Sequence, residues 1–335
     1  GNSMNVEVIG NTVAHCAANG GFIHDSYSNI IQGNTFYDNK NQFMMQGNTS
    51  DYGCYDTIRN NTLQNNILFS KQSFQLVMSL SADSLNKISR YGMFEDNYYC
   101  RPMNEGRIIY ASTTNSWNSY NLAGWQAAYG YDLNSKKTSV TIPGHTVNRL
   151  IGTNKFGNGA FNVNVAGAYA WSAAGNCTAT WDNTGALDNG CQKISFTSQT
   201  GTANSSTIIY GIGAIDSSKD YVLKFSMKGV KNNQEVEVAL RKSQANWKNI
   251  TPTQSITLSN GRTEHEILFS KPDSSLTDAS IQFYVQEADS IVYFDNIQLF
   301  EADVSMTNPD DYIRFEYNAT QSPKIVTLTG AYVDV

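Results

Sequence analysis

His24 and Asp25 are adjacent residues whose types can move a proton, since an imidazole beside a carboxylate can act as a general base. The same part of the chain holds His15, Asp38, Asp51, Glu95, Arg101 and Glu105. Hydrolysis of a glycosidic bond needs two carboxylates roughly 5 to 10 Å apart, and an elimination needs a base with a neutralising cation or arginine. No spacing among these residues selects either chemistry. The plainer reading of His24-Asp25, a turn with a solvated Asp and a structural His, takes precedence.

A second set of residues suits binding. Trp247 lies in the polar connection SQANWKNITP, where a core role for an indole is hard to argue, with Arg241 and Gln244 close in sequence. Tyr169, Trp171, Trp181 and Tyr284 are further ring candidates, with Gln286 as a polar companion. Sugars lay apolar C–H faces on such rings and need amide, carboxylate or guanidinium partners for their hydroxyls. Trp171 and Trp181 also read as core, because tryptophan is commonly buried with its N–H satisfied. For Trp171 the core reading leads.

The elements that must carry these residues begin with a repeat. Gly10-Asn11-Thr12-Val13, Gly33-Asn34-Thr35-Phe36, Asn60-Asn61-Thr62-Leu63 and Asp96-Asn97-Tyr98-Tyr99 set an Asn before a β-prone residue at spacings of 23, 27 and 36. A period of twenty-odd residues accommodates three short strands and their turns, so each repeat reads as one rung of a right-handed parallel β-helix through about residue 145. The long third spacing implies an excursion around Ser79 to Tyr91. Each repeated Asn reads as a ladder residue, since Asn tolerates the left-handed turn and can bond the next rung. Runs such as Phe22-Ile23, Phe43-Met44-Met45 and Ile67-Leu68-Phe69 would fill the coil.

Composition narrows the partners. The 335 residues have room for two or three domains. Charged residues make up 16% against abundant Asn, Ser, Thr, Gly and Tyr, an extracellular flavour that points to a secreted protein. Residues 1–150 carry ten charges of each sign, so the net −6 lies in residues 151–335. No basic stripe is present to neutralise phosphates, which argues against nucleic acid and for neutral polymers. No apolar run approaches the roughly 20 residues that span a bilayer. Gly1-Asn2-Ser3 starts without a charged and apolar leader, so a signal has been removed or the chain is an excised fragment. A monomer is expected. Of the five cysteines, Cys16, Cys54 and Cys100 read as thiols stacked in the coil. Cys177 and Cys191 flank a turn-rich stretch, so a Cys177–Cys191 disulfide stands beside two free thiols as the reading there.

After the repeats, residues 116–130 carry a helical pattern with Trp117, Leu122, Trp125 and Tyr129 near one face. Eight alternating runs follow: Gln192–Thr197, Thr207–Ile212, Tyr221–Lys228, Glu235–Arg241, Gln254–Leu258, Glu264–Ser270, Ser280–Gln286 and Ile291–Phe300. Their number and spacing predict an antiparallel β-sandwich, a jelly roll, over residues 150–303, so the fold class is all-β throughout.

Here the sequence resembles known families. NKFGNGAF at 154–161, AYAW ending at Trp171, LDNGCQKISF, DYVLKFSMKG, VEVALRK and VYFDNIQLFE occur in the order seen in family 4 and 9 carbohydrate-binding modules. Residues 1–145 look like the last rungs of a pectate-lyase-like β-helix, a fold of secreted polysaccharide lyases, epimerases and some glycoside hydrolases. The C-terminal stretch from Asn308 is similar to the segment that follows such helices, which implies β-strands over residues 304–335 packing near the β-helix. The module resemblance also implies a structural calcium at Asp295, with Asn162 and Asp188 completing the oxygens. Asn162 stands where such modules often have Glu. The implied function is a secreted polysaccharide-binding module attached to the β-helix of a polysaccharide-degrading or -modifying enzyme. A non-catalytic adhesive or surface structural protein is the alternative.

Overall fold

The computed structural model describes residues 3–48, 58–83, 85–114, 117–172, 177–196, 205–230, 232, 234–244, 246–285, 291–320 and 322–332. The chain divides into two compact units, Gly1–Gly144 with Thr307–Val335, and His145–Met306.

The first unit is a parallel coil. Its first turn is β1 (Glu7–Ile9), β2 (Thr12–Ala14) and β3 (Asn19–His24), and its second is β4 (Ile30–Gln32), β5 (Thr35–Tyr37) and β6 (Asn41–Gly47). The third is β7 (Asn61–Gln64), β8 (Ile67–Phe69) and β9 (Leu76–Ala82), and the fourth β10 (Gly92–Glu95), β11 (Tyr98–Cys100) and β12 (Ile109–Ser112). Each turn adds one strand to each of three sheets, and successive turns pair in parallel. Register stacks like on like: Ile31 on Leu63 on Phe94, Phe36 on Leu68 on Tyr99, and Phe43 on Met78 on Ile109. These residues share one buried core.

The corners between strands bury backbone that no ladder partner reaches, and asparagines satisfy it. Asn34 Oδ1 accepts from the backbone N–H of Asn11, Asn66 Oδ1 from that of Asn34, and Asn97 Oδ1 from that of Asn66, at 2.9, 3.0 and 3.0 Å across 23, 32 and 31 residues. Their side-chain amides donate to Val8, Ile31 and Leu63 carbonyls. The repeat therefore needs a correction. Asn61 belongs to a second column, in which its Oδ1 accepts from the Asn29 N–H, and the position equivalent to Asn34 is Asn66. Similar triplets precede both corners, so the text Asn-Asn-Thr suggested the wrong one. Gly92 ends the second column: it pairs with Asn61 at φ +149°, and a Cβ there would sit 1.7 Å from the Asn61 carbonyl oxygen.

The first column ends on a buried carboxylate. Beyond the fourth turn lie β13 (Trp117–Tyr120), antiparallel to β12, then α1 (Leu122–Tyr129) and β14 (Lys136–Lys137). The predicted helix thus starts later than residue 116. Asn121 caps it, accepting from the Gly124 N–H, and Gly130 in the left-handed region stops it. The helix buries Leu122 and Trp125. Asp132 accepts from Tyr99 Oη at 2.8 Å, Trp125 Nε1 at 2.9 Å, Asn97 Nδ2 at 3.1 Å and Ser135 Oγ at 2.6 Å. Burial raises its pKa against the pull of those four donors.

Outside the coil, Tyr37, Phe69 and Cys100 form an apolar row that Ile313 and Phe315 cover, Phe315 stacking on Tyr37 at 3.9 Å. The expected C-terminal strands are not seen among the described residues. After Met306 these form a 3-10 turn at Pro309–Asp311 and irregular backbone that attaches by side chains rather than by a ladder.

The second unit is two antiparallel sheets. Its strands are β15 (His145–Ile151), β16 (Ala168–Ser172), β17 (Cys177–Asp182), β18 (Cys191–Phe196), β19 (Ser205–Ile209) and β20 (Asp220–Gly229). Then come β21 (Gln234–Lys242), β22 (Gln254–Leu258), β23 (Thr263–Ser270), β24 (Ala279–Val285) and β25 (Ile291–Met306). One sheet runs β17-β18-β25-β20-β23, with β15 along the end of β25, and the other β16-β19-β24-β21-β22. Inward residues of both, among them Phe225, Val238, Leu240, Phe283, Phe294 and Leu299, make one core. The thiols of Cys177 and Cys191 are free. Strand register places them at opposite ends of the β17–β18 pair, Cys177 opposite Phe196 and Cys191 opposite Asp182, which rules out the disulfide reading. Cys54 lies outside the described residues. No helix among the described residues is long and apolar enough to cross a membrane.

The Asp132 network generates the first prediction. Asp132→Ala leaves the Trp125 indole N–H buried without an acceptor and the Tyr99 hydroxyl with only the Met78 sulfur at 3.8 Å, at about 1 to 3 kcal/mol each. Urea unfolding is expected to show a loss of at least about 2 kcal/mol; a loss below about 1 kcal/mol would show that the network does not close the coil.

Candidate functional site

Alternation builds a ring-bearing face on the sheet β16-β19-β24-β21-β22. In β21, Val236, Val238 and Leu240 point to the core, so Glu237 and Arg241 point away from it. In β24, Ile281, Phe283 and Val285 are inward, and Gln282 and Tyr284 outward. In β16, Ala168 joins the core, leaving Tyr169 and Trp171 on the outer side at 59% and 50% exposure.

Register aligns these outward groups. Trp171 is opposite Ser206, Ser206 opposite Tyr284, and Tyr284 opposite Glu237, in one line across four strands. The next line runs from Tyr169 through Ile208 to Gln282 and Ala239. Tyr210 meets Tyr169 edge-on at 5.4 Å. Tyr284 has its pKa raised by burial and then by the neighbouring Glu237 carboxylate.

Trp247 reaches this face through a strained loop. Asn246 and Trp247 have φ of +86° and +40°, the left-handed region that a bulky side chain seldom adopts. The strain brings the indole to the Arg241 guanidinium, 4.8 Å from carbon to ring centroid. Arg241 is buried, which lowers its pKa, and it donates to Gln282 Oε1 at 2.7 Å. Arg241 Nε, Ser280 Oγ and Ser255 Oγ are buried polar atoms with no hydrogen-bond partner among the described residues. Orphaned groups of this kind mark places where water or a ligand completes the bonding. Exposed rings beside amide, carboxylate and guanidinium groups can hold a ligand with both apolar faces and hydroxyls.

The candidates from sequence therefore separate. Tyr169, Trp171, Tyr284, Arg241 and Trp247 come together, and Trp171 is a surface ring rather than the core residue expected; the alternating alanines of AYAW carried that signal. Gln244 is exposed in the Trp247 loop and contributes its carbonyl to the Trp247 N–H at 3.3 Å. Gln286 lies outside the described residues. Trp181 is on the other sheet, where its Nε1 donates to the Phe161 carbonyl at 2.7 Å and its ring lies over Gly190. The residue is 38% exposed and stands apart from the ring-bearing face. Glu237, Gln282, Tyr210 and Ser280 were missed, although strict alternation in VEVALRK and SIQFYV places the first, second and fourth outward.

His24 and Asp25 form a turn of the coil. Asp25 is fully buried at φ +45°, its Oδ1 accepts from the Asn48 N–H at 2.7 Å, and its Oδ2 is 3.3 Å from His24 Nε2. No group of three or more His, Cys, Asp or Glu residues able to hold a metal is present among the described residues. A cleft of about 930 Å³ in the first unit, between Tyr37, Ile67 and Tyr98 and the C-terminal segment, is lined by none of the candidate catalytic, binding or metal residues named from sequence.

The calcium expectation meets a different arrangement. Asp295 is fully buried, and burial pushes its carboxyl up to about 6. Asp188 is close to it, held below the ordinary carboxylate range first by the Arg262 guanidinium. Asn162 is exposed and makes no hydrogen bond described for this cluster. The three do not form the oxygen set expected.

No protein-family profile and no curated protein matches the chain. Among solved structures, the chain is similar to a CBM4 structure at 19% identity, over 44% of this chain and 99% of that one, with a TM-score of 0.35. It is also similar to a family 11 carbohydrate-binding module from Clostridium thermocellum in complex with a β-1,3-1,4-mixed-linked tetrasaccharide, at 19% identity over 40% of this chain and 89% of that one, with a TM-score of 0.32. The enzymatically active domain of tailspike protein 4 from bacteriophage CBA120 is similar at 12% identity over 88% of this chain and 44% of its own, with a TM-score of 0.35.

Proposed function

We propose that the chain is a secreted bacterial polysaccharide-binding protein, acting as a monomer, whose sandwich carries the binding face. The observation that supports this is the register of Trp171, Tyr284 and Tyr169 on one outward sheet face, with Arg241, Gln282 and Trp247 at its end. Rings held by a sheet present apolar area without the entropy cost of ordering a loop, and the neighbouring polar groups suit hydroxyls. The parallel coil is read as a right-handed β-helix, the hand that connections between parallel strands nearly always take. In the parent protein that helix belongs to an enzyme that degrades or modifies the same polymer.

A glycan array probed with the intact chain tests the assignment. Binding to a neutral polysaccharide is expected. Trp171→Ala and Trp247→Ala should each weaken it by about 1.5 kcal/mol, roughly tenfold, as expected for losing apolar contact with a ring. Retention of wild-type affinity by both variants would move the site off this face, and an array blank for every glycan would remove the binding assignment.

Trp181→Phe is the matched control. It loses the bond to the Phe161 carbonyl, a stability cost of about 1 kcal/mol, and glycan affinity measured by affinity electrophoresis should stay at the wild-type value. A tenfold loss there would place the ligand on the opposite sheet.

A further inference from the structure

Away from the ring-bearing face, β20, β23 and β25 meet at a corner rich in charge. The guanidinium of Arg262 stands among three carboxylates there. Its Nε donates to Glu264 Oε1 at 2.5 Å, one terminal nitrogen to Asp188 Oδ1, and the other to Ser226 Oγ at 3.1 Å. Ser226 passes the contact on, donating to Glu264 Oε2 at 2.8 Å. Asn296 completes the ring: its backbone N–H donates to Asp295 Oδ1 and its side-chain amide to Asp188 Oδ2, each at 2.7 Å.

A calcium ion takes six to eight oxygens. At this corner both oxygens of Asp188 already accept hydrogen bonds, and so does one oxygen of Asp295. Asp295 Oδ2, buried and without a hydrogen-bond partner among the described residues, is the carboxylate oxygen of that pair left open. A divalent ion approaching it would meet a fixed positive charge. The guanidinium cannot lose that charge near neutrality, and its planar fork matches carboxylates in a way a hydrated ion does not.

We infer that Arg262 is the resident cation of this corner: its guanidinium supplies the charge that gathers Asp188 and Glu264 beside buried Asp295, and a divalent ion can enter only by displacing it. The residues that replace a metal are then spread over the turn before β18, over β23 and over β25, segments that a bound ion would otherwise tie together. The contacts are partly in water, so each is worth little alone and the network holds as a unit. The inference does not depend on the polymer-binding reading.

Calcium chloride alone, titrated calorimetrically into the chelator-treated intact chain, tests it, together with thermal melts in calcium or EDTA. Wild type should show no saturable heat and the same Tm in both. Arg262→Gln should melt lower than wild type in EDTA and recover part of the loss in millimolar calcium, because Asp188 and Glu264 are released to the ion. Arg262→Lys, which keeps the charge, should remain indifferent to calcium. Saturable calcium binding by wild type with a rise in Tm overturns the inference, as does an Arg262→Gln protein no more responsive to calcium than wild type. If Arg262→Gln does not fold, the wild-type titration and Arg262→Lys decide alone, a calcium-responsive lysine variant counting against it.

Discussion

A strand in a sheet can give only every second side chain to the core, and both units of this protein are organised by that constraint. In the coil it sends Phe36, Leu68 and Tyr99 inward while Tyr37, Phe69 and Cys100 go outward. In the sandwich it sends Val238, Phe283 and Ala168 inward while Glu237, Tyr284 and Tyr169 go outward. A one-residue slip would exchange the two sets. The rings that face solvent are therefore held in place by the packing of their sequence neighbours, and core stability and the placement of the exposed rings are set by one register.

Buried polar groups supply what alternation cannot. Apolar residues stack equally well in several registers, whereas an amide that must meet a particular backbone N–H on the next turn does not. The column Asn34, Asn66, Asn97 fixes the turns to one another, and Asp132 gives its last amide an acceptor. The sandwich uses charge at its edge for a comparable end, with Arg262 joining residues from separate segments.

Much of this was legible in the sequence, and the gaps have physical causes. Eight sandwich strands show as alternating runs because most of them give one side to the core and the other to polar or partly exposed residues. Strands β15, β16 and β17 were missed: their short or exposed apolar positions, as in HTVNRLI, give little contrast. The asparagine repeat revealed the coil, yet the assignment of Asn61 failed because two corners per turn use the same residue type. The core reading of Trp171 rests on how commonly tryptophan is buried, although its alanine neighbours already mark its side as the outer one. The pairing of Asp188 with Arg262 joins residues 74 apart, and no local pattern announces it. The strained turn that carries Trp247 to Arg241 is likewise invisible in SQANWKNITP, since φ is a property of the closed loop.

The outward face of β16-β19-β24-β21-β22 is the proposed ligand surface. The most direct measurement is a crystal structure of the intact chain with an oligosaccharide from whichever polymer it binds. Sugar rings are expected to lie against Trp171, Tyr284 and Tyr169, with hydroxyls bonded to Gln282 or Arg241. Sugar density confined to the Trp181 side of the sandwich, or to the coil, would contradict it.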